Sequence, residues 1–212
     1  MRANTLFDLP NTSQPSQLCM KFPIMHKLET PWTCWVSEHH QGGRGRALSK
    51  DAYMRDMAKL CSIESVEEFW SFHATLCRPQ DMRVGANIFL FRVGLKPLWE
   101  EMPNGATWSI KIHRSQHYDM TLALQKVLLL CIGESLDAPH LAGCSLSSRM
   151  NQFIISVWFD INPQPEEQFS ILEKLKTILE LPVDTVMEYK EHALAIIDGS
   201  SSAHARRYSI TS

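Results

Sequence analysis

The sequence predicts an α+β domain: a single curved, cupped antiparallel sheet of about eight strands, with three helices on its convex face. Three observations carry this expectation. Strand-like segments recur in which apolar and polar residues alternate, as in Trp108, Ile110 and Ile112 against Thr107, Ser109 and Lys111, and alternation marks a sheet with one packed face and one wet face. Three helical segments lie between them, enough to cover the packed face. The other face is left to water or to a ligand, and that asymmetry favours α+β over a βαβ arrangement.

In chain order, residues 1–25 are rich in Asn, Ser, Thr and Pro and are expected to be a flexible arm, leaving 26–212 as the folded domain. Trp32 to Ser37 predicts a strand, stopped by the basic loop Gly42-Gly43-Arg44-Gly45-Arg46. Ser65-Val66-Glu67-Glu68 is a capping box, and Val66, Phe69, Trp70 and His73 follow at helical spacing, predicting a helix over 66–77. Asp119 to Ile132 is a second helical run. A third helix starts at Asn162 and Pro163, carries Phe169, Leu172, Leu175, Ile178 and Leu179 on its apolar face, and ends at Leu181-Pro182. Strands are expected at Ile88 to Val93, Thr107 to Ile112, Leu141 to Ser147, Phe153 to Phe159 and Thr185 to Tyr189, with a weaker one at Ala193 to Ile197. The Ser-rich remainder from Asp198 predicts a loop with a short terminal strand.

Composition narrows the function. With 21 basic and 23 acidic residues the formal charge is −2, so a broad basic surface for duplex nucleic acid is not expected, and any such ligand must be short and held locally. Six cysteines without close pairs and no signal-like start point to free thiols and a cytoplasmic location. The most apolar segment, Val127 to Ile132, is too short to cross a bilayer. Six tryptophans ask for more than core filling, because an indole N–H wants a partner.

The motifs of enzymes and metal sites are missing. The nine histidines have no Cys-x-x-Cys or His-Glu-x-x-His companions, and neither a nucleotide phosphate loop nor a Gly-x-Ser-x-Gly elbow is present. No metal and no cofactor are expected. Glu100, Glu101, Glu134 and Asp137 could serve as an acid and base pair only if the fold gathers two of them. Trp99-Glu100 offers a different chemistry, a π-face beside a carboxylate in a connecting loop. One carboxylate can accept both N1–H and N2–H of a guanine. An N7-methylated guanine also carries positive charge, which favours a sandwich between two aromatic rings.

The chain resembles the eukaryotic translation initiation factor 4E family of messenger RNA cap-binding proteins over roughly residues 26–208. The likeness rests on His26-x-Leu28 with Trp32-x-x-Trp35, on Ser65-Val66-Glu67-Glu68-Phe69-Trp70, and on Phe89-x-x-Arg92-x-Gly94-x-x-Pro97-x-Trp99-Glu100. Further along it rests on Trp108, Leu129-x-Cys131-Ile132-Gly133-Glu134-Ser135, Gly143 with Arg149, Ile155-x-Val157-Trp158 and His192-Ala193. The resemblance implies a cupped sheet backed by three helices, binding the N7-methylguanosine cap in its hollow and acting in translation initiation through a scaffold protein, without catalysis. It puts the first stacking ring at Tyr53, where the family usually has Trp, and the second at Trp99. Glu100 falls on the residue that reads the guanine edge, Trp158 on the one touching the N7-methyl group, and Arg149 on a phosphate contact.

Two departures matter. The arginine before the Trp108 position is Thr107 here, and a lysine of the following hairpin is Ile154, or Gln152 if the turn is shifted. Arg206, Arg207, Arg44 and Arg46 are then the candidates to reach the phosphates from loops. On the convex side the resemblance implies a docking surface of His26, Leu28, Val66, Trp70 and Leu129 for a partner helix bearing a Tyr and an apolar pair. The partner is a scaffold initiation factor or a regulatory 4E-binding protein, and the chain is otherwise expected to be monomeric. Tyr53, Gln125 and Lys126 keep a translational repressor open as the alternative, and a cap-processing enzyme stands behind both.

Overall fold

The structure, a computed structural model, describes residues 25–38 and 55–209. Eight strands run β1 (Lys27–Glu38), β2 (Met57–Ser65), β3 (Ala86–Arg92), β4 (Ala106–His113), β5 (Leu141–Ser148), β6 (Gln152–Phe159), β7 (Val186–Glu191) and β8 (Arg206–Ser209). They form one sheet in the order β2-β1-β3-β5-β6-β4-β7-β8, with every neighbouring pair antiparallel. The helices are α1 (Val66–His73), α2 (Met120–Ile132), α3 (Pro165–Leu179) and α4 (His192–Asp198).

Alternation sorts the side chains as the sequence predicts. Trp32 and Cys34 of β1, Ile88 and Leu90 of β3, Trp108, Ile110 and Ile112 of β4 and Phe153, Ile155, Val157 and Phe159 of β6 pack into one core with Phe69, Val127, Leu128, Ile171 and Leu175 of α1, α2 and α3. That core is the convex side. Trp32 and Trp108 are fully buried in it, their indole N–H groups without a hydrogen-bond partner among the described residues. For these two, packing area outweighs the cost of an unpaired donor.

The helix termini follow local chemistry. Ser65 Oγ accepts from Glu68 N–H at 3.2 Å, while the Glu68 carboxylate reaches back to Glu64 N–H at 2.7 Å, one residue before the cap. α1 ends at His73, four residues short of expectation, where the Thr75 hydroxyl donates to the freed Phe72 carbonyl at 2.7 Å. Asp119 caps α2 through two 3.0 Å bonds from Thr121 and Leu122 N–H. α3 starts at Pro165 rather than at Asn162 and Pro163, because the Asn162 amide oxygen is taken by the Tyr189 hydroxyl at 2.5 Å.

Two elements differ from the sequence reading. Ala193 to Ile197 is not a strand but most of α4: only His192 and Ala195 are buried, a spacing of three that fits one helical face. β2 was not anticipated. Its letters, MAKLCSIES, place Lys59 and Glu64 in an edge strand, where charge blunts the open edge at the expense of a clear apolar pattern.

Candidate functional site

The opposite face of the sheet carries the alternate members of the same strands. Phe89 and Phe91 of β3 and Trp158 of β6 gather with Met57, Met102 and Ala142 into a second, smaller apolar cluster, against which Trp35, Leu95 and Trp99 pack. The Trp158 ring lies 5.5 Å from Phe91 and 5.2 Å from His192, edge-on or tilted, and its N–H donates to Ser145 Oγ at 3.3 Å. Gly143 makes room for this packing: a Cβ there would sit 2.4 Å from the Leu90 carbonyl oxygen and 2.8 Å from the Phe91 ring.

Trp99 and Glu100 stand at the rim of this cluster in a single 3₁₀ turn, Trp99–Glu101. Gly94, at φ +93°, lets the chain turn away from β3, and Glu101 and Met102 N–H return to the Leu98 and Trp99 carbonyls at 3.2 and 3.0 Å. The Trp99 ring is half-buried against the cluster while Glu100 is exposed. A flat ring with a carboxylate next to it, both borne by one short turn, can stack on a base and accept from its edge.

Behind the turn lies a histidine that the sequence reading left without a role. His192 is fully buried; its Nδ1 is 2.7 Å from the Met102 carbonyl oxygen, and its Nε2 is 2.7 Å from Thr107 Oγ1. Burial lowers its pKa from the ordinary 6.5, and the bond to Met102 only partly opposes that. Thr107, whose threonine removes an expected phosphate contact, is thus occupied by His192. No signal in the sequence joins two residues 85 positions apart.

From Trp158 the hollow continues as paired rungs of β4 and β6: Thr107 beside Trp158, Ser109 beside Ser156, Lys111 beside Ile154, and His113 beside Gln152. Ile154 and Gln152 both face the hollow, so the hairpin carries no shifted lysine. A cation sits across from Ile154 instead. Lys111 Nζ pairs with Glu188 at 2.7 Å, and Arg207 meets the same, almost fully buried carboxylate at 3.0 Å. These residues line a cleft of about 370 Å³ with His113, Gln152 and Asp184.

Arg149 lies in the turn after β5, its backbone N–H bonded to the Gln152 carbonyl at 2.9 Å and its guanidinium to the Ser148 carbonyl at 3.1 Å. Arg206 points to the other face, over the Tyr189 ring at 4.8 Å. Tyr53, Arg44 and Arg46 lie outside the described residues.

The convex candidates come together around α1. Trp70 is 43% exposed and touches Phe69 and His73 edge-on at 5.1 and 5.4 Å, while Val66, one turn earlier, is also open. The His26 carbonyl accepts from Val66 N–H at 2.9 Å, and Glu67 holds the His26 ring at 2.6 Å, which fixes the start of β1 beside the helix. Leu28 and Leu129 are half-buried at the edge of the core. Lys126 pairs with Glu180 at 2.7 Å.

The four carboxylates weighed as an acid and base are not gathered. Glu134 binds Arg92 at 2.5 Å and Thr30 at 2.8 Å on the far side of the sheet, Asp137 pairs with Lys174 at 2.6 Å, and Glu100 and Glu101 sit in the rim turn.

Comparison with known proteins agrees with this fold. The profile of the family described as Eukaryotic initiation factor 4E matches residues 27–207. "Eukaryotic translation initiation factor 4E-4" of Caenorhabditis elegans is 34% identical over 148 residues, covering 68% of each chain. "Eukaryotic translation initiation factor NCBP" of rice, Oryza sativa subsp. japonica, is 28% identical over 179 residues, 83% of this chain and 75% of the relative. Among solved structures, Ascaris suum eIF4E-3 with an m2,2,7G cap superimposes with a TM-score of 0.69 at 21% identity, covering 80% of this chain and 92% of that one. The C. elegans eIF4E-3 complex with the 4E-binding protein Mextli and a cap analog gives a TM-score of 0.70 at 19% identity, covering 82% and 96%. With the profile spanning nearly all of the described sheet, the chain belongs to the eukaryotic initiation factor 4E family.

Proposed function

We propose that this protein binds the N7-methylguanosine 5′ cap of messenger RNA in the hollow of its sheet and acts in translation initiation as a binding protein, not an enzyme. The observation that carries the reading is the rim turn: Trp99, backed by the aromatic cluster, and Glu100, open beside it. Trp99 stacks on one side of the base and Tyr53 closes the other. Glu100 accepts the guanine N1–H and N2–H, and Trp158 meets the methyl group from the floor. Arg149 and Lys111 serve the phosphates, with Arg207 neutralising Glu188 so that Lys111 can turn from it; Arg44 and Arg46 are further candidates, whereas Arg206 faces the wrong side. The setting is the cytoplasm.

Val66 and Trp70, with His26, Leu28 and Leu129, form the docking surface for a helix of a scaffold factor or a 4E-binding regulator. A solved relative, a schistosome eIF4E, is complexed with m7GpppG and 4E-BP. The repressor reading draws on Lys126, whose ion pair with Glu180 sets a charged pair near Leu129 on α2; mass spectrometry of proteins retained with the chain on immobilised methylated guanosine separates it from the activator. Glu100→Ala tests the cap reading, because both guanine donors lose one acceptor. The expected cost is about 2 to 5 kcal/mol in affinity for a methylated cap analogue, and fluorescence titration showing unchanged affinity would refute it.

A further inference from the structure

The rim turn is not held by its own hydrogen bonds alone. The residue that closes it, Met102, gives its carbonyl to His192 Nδ1 at 2.7 Å, and α4, which starts at His192, packs against the same turn. A carbonyl can only accept, so Nδ1 carries the proton. In a neutral ring Nε2 is then an acceptor, and the Thr107 hydroxyl, 2.7 Å away, donates to it. The ring has no freedom to shift. His192 N–H is bonded to the Gly105 carbonyl at 2.9 Å, and even a Cβ on Gly105 would approach Nδ1 to 2.7 Å. Its remaining side lies 5.2 Å from the Trp158 ring.

One buried imidazole therefore touches the closing residue of the Trp99–Glu101 turn, the floor strand β4, and the ring at the bottom of the hollow. We propose that His192, oriented by Thr107, is a positioning residue for guanine recognition: it fixes the height of Glu100 above the floor by holding the Met102 carbonyl, and it braces Trp158. This rests on the cap reading above. A carboxylate that must meet two donors of one base edge tolerates little displacement, so loosening the turn costs two-donor recognition before it costs stacking.

The readout follows from that difference. 7-Methylinosine triphosphate keeps the charge, the ring and N1–H but lacks the N2 amine, so the ratio of its dissociation constant to that of 7-methylguanosine triphosphate reports how well Glu100 meets both donors. Overall destabilisation weakens the two ligands alike and leaves the ratio unchanged. In the wild type the ratio is expected to be about tenfold or more. His192→Ala should reduce it at least about fivefold, and His192→Asn, whose amide N–H can take the place of Nδ1–H, should restore most of it. Thr107→Val keeps the volume but leaves Nε2 without its donor, and should lower the ratio part of the way. A folded His192→Ala protein with the wild-type ratio overturns the proposal. If that variant does not fold, an unchanged ratio in Thr107→Val overturns it. Failure of the cap reading looks different, since the wild type would then fail to prefer methylated over unmethylated guanosine triphosphate.

Discussion

Trp70 presents an aromatic ring to solvent on the helical side of the sheet, and removing it should separate the two binding surfaces. An indole side chain offers roughly 250 Å², of which 43% is exposed here, so roughly 100 Å² is available to a partner. At about 25 cal/mol per Å² that area is worth about 2.5 kcal/mol, the size expected of a central anchor and equivalent to roughly 50- to 100-fold in affinity. Loss of the edge contacts with Phe69 and His73 should also cost the fold about 1 kcal/mol. Phe69, turned inward and fully buried, keeps α1 in place. Calorimetric titration of Trp70→Ala with a helical peptide bearing a Tyr and an apolar pair should therefore show binding weakened by that factor. Cap-analogue affinity of the same sample should stay within about twofold, because the sheet lies between the sites. Cap binding lost with the peptide retained would mean that the two faces have been assigned the wrong way round.

Lys111→Met keeps the stem and removes the charge, so affinity for 7-methylguanosine triphosphate should drop about tenfold while the methylated nucleoside binds as before; a change below twofold for the triphosphate would exclude Lys111 from the site. Gly143→Ala forces a methyl to within 2.4 Å of the Leu90 carbonyl oxygen and 2.8 Å of the Phe91 ring. It should cost about 2 to 3 kcal/mol of stability, visible as a lowered thermal midpoint, and a midpoint within one degree of the wild type would contradict the packing described for the floor.

Alternation made β4 legible in the sequence, because Trp108, Ile110 and Ile112 bury one of its faces in a single core. The Ser65 capping box placed α1 and the apolar run from Asp119 to Ile132 placed α2, for equally local reasons; that Asp119 caps α2 is seen only in the structure. α4 was hidden, since Leu194, Ile196 and Ile197 are apolar yet exposed, so its letters carry a strand-like bias without a buried stripe to correct it. β2 was hidden because an edge strand needs few apolar residues. At the site, Trp99 and Glu100 could be named from the chemistry of one dipeptide together with the family resemblance. Lys111 could not, because its place beside Ile154 is set by the register of β4 on β6, which alternation alone leaves open. The bond between Thr107 and His192 could not be read either, because the two residues stand 85 positions apart in the chain. The six tryptophans also divide by position: Trp32 and Trp108 fill the core, Trp35, Trp99 and Trp158 line the hollow, and Trp70 faces out.

On this reading the hollow recognises a positively charged, methylated guanine. Intrinsic tryptophan fluorescence tests it most directly, with Trp35, Trp99 and Trp158 all on that face, by titrating the wild-type protein with 7-methylguanosine triphosphate and with guanosine triphosphate under one ionic strength. Methylation adds a cation–π contribution of about 1 to 2 kcal/mol on each ring, so the methylated ligand should bind about thirtyfold more tightly or better, with quenching that saturates at one ligand per chain. Equal affinity for the two would mean a general nucleotide site instead of a methylated-cap site.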